Sequence, residues 1–188
     1  MVRRPRQISH ARRARAAAWL RALAALAALA LAGSPRAVDA PGEYDVKAAM
    51  LLNVLKFVEW PASAPTSELG VCVLGAPRFA RAIAATAERA GTKLVVTQPR
   101  SAAGGACQVV VLGRDYDGSV EELSGELARA GVLTVADSDG YGTRGVQVNF
   151  FMEDGRVRLE VNLDSTRRAR LRLSSKLLRL ARVLGSAS

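Results

Sequence analysis

Apolar positions along the chain fall into short continuous runs separated by amphipathic stretches. Three runs are apolar almost throughout: LGVCVLG (69–75), CQVVVLG (107–113) and VLTVAD (132–137). Runs of this length bounded by glycine or a polar turn predict strands buried on both faces. TKLVVTQ (92–98) predicts a further strand, and QPRSAAGGA (98–106) a loop. Between the strands lie helix patterns. PRFARAIAATAERAG (77–91) opens on proline and closes on glycine, and GSVEELSGELARAG (118–131) offers Ser119 and Glu122 as a capping box. VQVNFFME and RVRLEVNL flank Asp154-Gly155, a two-residue hairpin signal. The tail has two helix starts, Asp164 and Ser174, and its Leu173, Leu177, Leu180 and Leu184 recur at helical spacing. The whole predicts an α/β three-layer sandwich. Its mixed, mostly parallel sheet carries helices on both faces, with a C-terminal β-hairpin plus helix.

The segment EYDVKAAMLLNVLKFVEWPA (43–62) is apolar on an unusually wide arc. Residues 45–60 predict a helix stopped by Pro61. Asp45, Asn53, Lys56 and Glu59 fall within about 120° on a helical wheel. Val46, Met50, Leu51, Val54, Leu55, Phe57 and Val58 fill most of the rest, with Ala49 and Leu52 intruding on the polar stripe. A helix on a sheet needs an apolar arc of only ~100° or slightly more. This one either has neighbours on two sides, the sheet and a C-terminal helix, or faces a partner.

The N-terminal region changes the charge argument. Six arginines and no acid in residues 1–15 precede an Ala/Leu run broken only by Arg21, the pattern of a secretory signal peptide. The apolar part after Arg21 is shorter than the ~20 residues of a spanning helix. Small residues offer cleavage after Ala32 or Ala40, so residues 1–40 are expected to be signal peptide and short linker, with one domain over 41–188. The leader holds 8 of the 27 basic and 1 of the 17 acidic residues. The remainder is therefore +3, not +10, and a nucleic-acid role loses its main support. A local basic excess remains near the C-terminus, suited to a helix dipole, an acidic protein partner or anionic lipid.

Catalytic chemistry is thinly supported. The only histidine, His10, lies in the leader, which excludes histidine-based triads and histidine-ligated zinc from the domain. Gly140, Gly142 and Gly145 match G-x-G-x-x-G, but a strand pattern follows where a phosphate-binding loop needs a helix. They read instead as a loop between strands with Tyr141 and Arg144 at its exposed tip. Ser174 beside Lys176 reads as a helix cap rather than a Ser–Lys dyad. Asp137 with Asp139, and Glu121 with Glu122, read as solvated turn or capping residues. Cys72 and Cys107 are the only cysteines, and an exported chain favours their pairing over two buried thiols. No cofactor or metal is expected.

Taken in order, YDVKAAMLLNVLKFVEWP, VCVLG, CQVVVLG, VLTVAD, GRVRLEVNL and LRLSSKLLRLARV resemble the YfiR-like periplasmic proteins over residues 44–183. The most specific parts are Phe57, Trp60 and Pro61 in F-x-x-W-P, and SSKLLRLA at 174–181. The resemblance implies a noncatalytic α/β sandwich in the periplasm. Such a protein inhibits an inner-membrane diguanylate cyclase by binding its periplasmic sensor domain. Redox stress or an OmpA-like outer-membrane lipoprotein relieves the inhibition, and cyclic-di-GMP and biofilm follow downstream. It also implies a structural or redox-sensitive disulfide between Cys72 and Cys107; the second cysteine pair of some members is absent here. Candidate partner contacts are Phe57, Trp60, Tyr141, Arg144, Lys176, Arg179 and Arg182, and a homodimer is plausible for an exposed apolar helix. The alternative is a periplasmic small-molecule sensor associated with a receptor or histidine kinase, using a crevice at the strand ends.

Overall fold

A computed structural model of the protein describes residues 42–60, 68–102 and 107–185. The predicted leader, its cleavage points and part of the 98–106 loop lie outside these residues. Residues 41–188 form a compact unit of their own.

Helix α1 (Glu43–Lys56) leads into the two-residue strand β1 (Val58–Glu59). Strand β2 (Leu69–Leu74), helix α2 (Pro77–Arg89) and strand β3 (Leu94–Thr97) follow. Then come β4 (Val109–Leu112), α3 (Val120–Arg129) and β5 (Leu133–Ala136). Strands β6 (Val148–Glu153) and β7 (Arg156–Asn162) make the expected hairpin. Asp154 and Gly155 both take positive φ at its turn, the backbone that a tight hairpin requires. The chain ends with α4 (Leu163–Arg168), β8 (Arg172–Leu173), α5 (Ser175–Leu178) and β9 (Arg182–Leu184).

The main sheet has the order β3-β2-β4-β5-β6-β7-β9, and only the β6–β7 pair is antiparallel. Alternate residues of the central strands feed two cores, as the period of a strand dictates. On one face, Val71, Val73, Val109, Val111, Val135 and Phe150 meet α1 and α2. On the other, Cys72, Leu74, Val110 and Leu112 meet Val120 and Leu127 of α3. The architecture is the expected α/β sandwich with helices on both faces.

Two elements differ from their sequence patterns. The first helix ends at Lys56, not at Trp60, because Val58 and Glu59 turn into an antiparallel pairing with Leu173 and Arg172. The tail is not one helix. Its leucine stripe is divided among β8, the single turn α5 and β9, so Leu177 is buried while Leu180 is 80% exposed. Pairing of β9 with β7 in the sheet outweighs the helical periodicity of four leucines.

The wide apolar arc of α1 is mostly internal. Ala48, Leu51, Leu52, Val54 and Leu55 are buried, in the same core as α2, the sheet and Leu171 and Leu177 of the tail. Val46, Ala49 and Met50 instead line an open groove of about 510 Å³ shared with Thr86, Arg89 and Ala90 of α2.

Candidate functional site

Cys72 and Cys107 form a disulfide. Cys72 sits on β2 and Cys107 just ahead of β4, where Gln108 N donates to Gly70 O. The bridge thus fastens two adjacent parallel strands at the edge of the α3-side core.

Phe57 and Trp60 stand at the end of α1 and are half-buried against the first core. The Phe57 carbonyl accepts from Ser174 N at 3.0 Å, and Val58 pairs with Leu173. Their segment and the C-terminal SSKLL motif are therefore one clasp. The Ser174 hydroxyl accepts from Lys176 N, a capping role that leaves no Ser–Lys dyad.

Tyr141 and Arg144 do not stand free at a loop tip. Tyr141 is half-buried against the second core, and Arg144 makes two hydrogen bonds to Glu121 of α3, at 2.6 and 3.0 Å. The Arg144 guanidinium also lies 5.2 Å from the Tyr141 ring centroid. These bonds, first among the causes the one from Arg144, hold the Glu121 carboxyl down to about 2. A loop that looked exposed by composition is anchored through a charged pair that no local motif announces. The same loop covers Glu160. A side chain at Gly142 would run into Glu160 Oε1, and the Gly142 carbonyl accepts from Asn162 Nδ2. Close packing thus requires glycine at Gly142, whereas Gly140 and Gly145 take positive φ.

The three C-terminal candidates separate. Lys176 and Arg179 are exposed. Arg182 instead donates to the 4%-exposed Glu160 at 2.9 Å through Nε and stacks 3.9 Å from the Phe151 ring centroid. Glu160 pairs in register with Asn149 on β6 and with Arg182 on β9, so a polar row crosses this end of the sheet.

A second cluster was not anticipated. Lys47, on α1, is 1% exposed and Asp137, at the end of β5, is 2% exposed. The ammonium donates to Glu43 Oε1 and, at 3.2 Å, to the Asp137 carbonyl; it lies 3.8 Å from Asp137 Oδ2. This corrects the reading of Asp137 as solvated; Asp139 alone is exposed. Burial, then the charge of Asp137, raises the nearby Tyr44 phenol above its usual value. The lone signal in the sequence is that Asp137 directly continues an all-apolar strand. Glu43, Lys47, Arg114, Asp137, Asp139 and Met152 line a polar cleft of about 380 Å³ beyond the carboxyl ends of β4 and β5. The crevice where strand order reverses, between β2 and β4, is filled by main chain. Asp115 N donates to Gly75 O at 3.1 Å, and a side chain at Gly113 would strike that same carbonyl. Among the described residues no group of three or more His, Cys, Asp or Glu could hold a metal ion. Nor is any described helix long and apolar enough to cross a membrane.

Comparison with known proteins gives one family. The profile of proteins described as YfiR/HmsC-like matches residues 44–182. No curated protein matches the chain. Among solved structures, a conserved domain protein from Vibrio cholerae O1 biovar El Tor is similar, with a TM-score of 0.54 at 12% identity. The alignment covers 75% of this chain and 60% of that one, so the chain spans less than two thirds of that relative's length. At this identity the likeness concerns the fold alone.

Proposed function

The chain belongs to the YfiR/HmsC-like family, and from that premise we propose that it is an exported regulator that holds an inner-membrane diguanylate cyclase inactive by binding its periplasmic sensor domain. The family is periplasmic and regulatory. The observation carrying the proposal is the extent of the match, which runs from the first turn of α1 to the start of β9 and so takes in nearly every described element.

A cyclase dimer has active and inactive arrangements, and a bound protein shifts them only by preferring one. Moving an even mixture to 99:1 needs roughly a hundredfold preference for the inactive arrangement. A rigid protein supplies such a preference better than a flexible one. The clasp of α1 with the tail, fixed by the Val58–Leu173 pairing, holds Phe57 and Trp60 on one supported segment. We assign the partner contacts first to this clasp. Tyr141, Arg144 and Arg182, which have partners within the fold, come second. The Cys72–Cys107 bridge is structural in this account, and its reduction links the regulator to redox stress. An OmpA-like outer-membrane lipoprotein would relieve inhibition by competing for the same protein.

Co-purification tests the reading. Residues 41–188 mixed with the periplasmic domain of an inner-membrane diguanylate cyclase from the same organism should elute as one complex at micromolar concentration. Separate elution at tens of micromolar would sink it. One observation favours a second reading, a small-molecule sensor: Asp137 Oδ2 is buried at the polar cleft without a hydrogen bond. Saturable micromolar binding of a polar metabolite, lost in Arg114→Ala, would favour that reading.

A further inference from the structure

We propose that the C-terminal surface built from α4, β8, α5 and β9 docks onto an anionic phospholipid surface, with Leu180 entering the headgroup region. The inference needs no particular protein partner.

Charge is divided unevenly over the folded unit. Residues 163–185 carry seven basic residues and one acid; the rest of 41–188 carries twelve basic and fifteen acidic residues. The basic stretch is one surface in space, because α4 packs against both β8 and β9, with α5 between them in the chain. Part of its charge is consumed internally. Arg167 pairs with Asp164, Arg172 with Glu59 and Arg182 with Glu160. Arg170, Lys176 and Arg179 are exposed and form no ion pair among the described residues.

The backbone at Arg170 strengthens the case. Helices α2 and α3 each end in a glycine of positive φ, Gly91 and Gly131, with amides returning to the last turn. Helix α4 ends in the same hydrogen-bonded turn, with Arg170 N on Arg167 O and Leu171 N on Thr166 O. Yet the positive-φ residue there is an arginine, at φ 56°. A non-glycine residue in this region is strained, and such strain concentrates at functional positions. Here it places one more cation on the basic surface.

The apolar component is led by one projecting side chain, Leu180, with Val183 of β9 also exposed. The amides of Leu178, Arg179 and Leu180 bond back to residues 174, 175 and 177, so α5 continues as a turn through Leu180. Lys176, Arg179 and Leu180 are exposed on this turn, whereas Leu177 is buried in the first core. Leu180 is 80% exposed. A protein interface centres on a patch that excludes water, whereas a prominent leucine flanked in the chain by the exposed Lys176 and Arg179 suits a headgroup layer. Such a layer adds roughly 1 kcal/mol per nearby Lys or Arg. Neither cleft described above involves these residues.

Vesicle flotation tests the inference on residues 41–188, which contain both cores, the sheet and the disulfide and lack the leader. With vesicles containing phosphatidylglycerol, binding is expected at 0.1 M salt and falls steeply at higher salt. Lys176→Ala with Arg179→Ala should weaken it roughly thirtyfold, and Leu180→Ala about fivefold, with unchanged melting temperature. No binding, equal binding to phosphatidylcholine vesicles, or indifference to both variants would overturn the inference. So would loss of cyclase control in the double variant without any vesicle binding, which would assign the surface to an acidic protein.

Discussion

Lys47 and Asp137 form a buried ion pair that ties α1 to the end of β5, with Nζ 3.8 Å from Asp137 Oδ2 and both side chains withdrawn from solvent. Removing one partner of such a pair leaves an uncompensated buried charge, which costs about 3–5 kcal/mol. Lys47→Met should therefore lower the unfolding free energy by that order in urea titrations. Replacing both, with Asp137→Asn added, should recover a large part of the loss. A single variant of near-normal stability would show that the pair is solvated.

The C-terminal cations should divide by partner. Arg182 neutralises the buried Glu160, so Arg182→Ala is expected to cost ~1–2 kcal/mol, discounted because the arginine itself is half exposed. Lys176→Ala and Arg179→Ala should each stay within about 0.5 kcal/mol of the parent. Thermal melts of the three single variants check the division, and equal effects would contradict it.

Glu121 supplies a pH dependence. Its carboxyl, ordinarily at 4.5, is held to about 2 in the folded protein by hydrogen bonds, chiefly from Arg144. A lowered folded value means that the unfolded chain binds the proton more readily. The stabilisation is thus complete above pH 4.5 and is lost as pH falls from 4.5 towards 2. In carboxyl NMR titrations, Arg144→Ala should bring Glu121 back towards 4.5. Because the pair is exposed, high salt should do part of the same. A Glu121 midpoint unmoved by the variant would exclude the pairing in solution.

Much of this fold was legible in the chain. The apolar runs gave β2, β4 and β5 because strands covered on both faces have no polar side to display. Pro77, Ser119 and Asp154-Gly155 marked a helix start, a cap and a hairpin through local backbone chemistry. What the chain concealed is nonlocal. Nothing near Trp60 announces that Val58 will pair with Leu173, more than a hundred residues away in sequence. The leucine stripe from 173 to 184 has a helix's spacing, yet sheet pairing claims both its ends. Lys47, Asp137 and Glu160 are charged residues buried with partners from other elements, and burial of that kind is visible only after the elements are placed. The same holds for the candidate contacts, of which Arg144 and Arg182 proved to have partners inside the fold.

The disulfide closes a separation of 35 residues. On the chain-entropy account such a crosslink stabilises by about 3–4 kcal/mol. Cys72→Ser with Cys107→Ser, or reduction of the native protein, should lower the denaturant midpoint accordingly. If the bridge also reports redox stress, the reduced protein should release its cyclase while still folded. Full inhibition by the reduced, folded protein would leave the bridge a purely structural role.

The central claim is that this protein silences a cyclase by contact. The most direct measurement is cyclic-di-GMP production by a full-length inner-membrane diguanylate cyclase of the same organism, reconstituted in vesicles, as residues 41–188 are added on the periplasmic side. The account predicts a saturable fall in turnover, relieved when Phe57 and Trp60 are replaced by alanine in a variant shown to remain folded. Turnover that stays constant up to saturating concentrations of the native protein would contradict it.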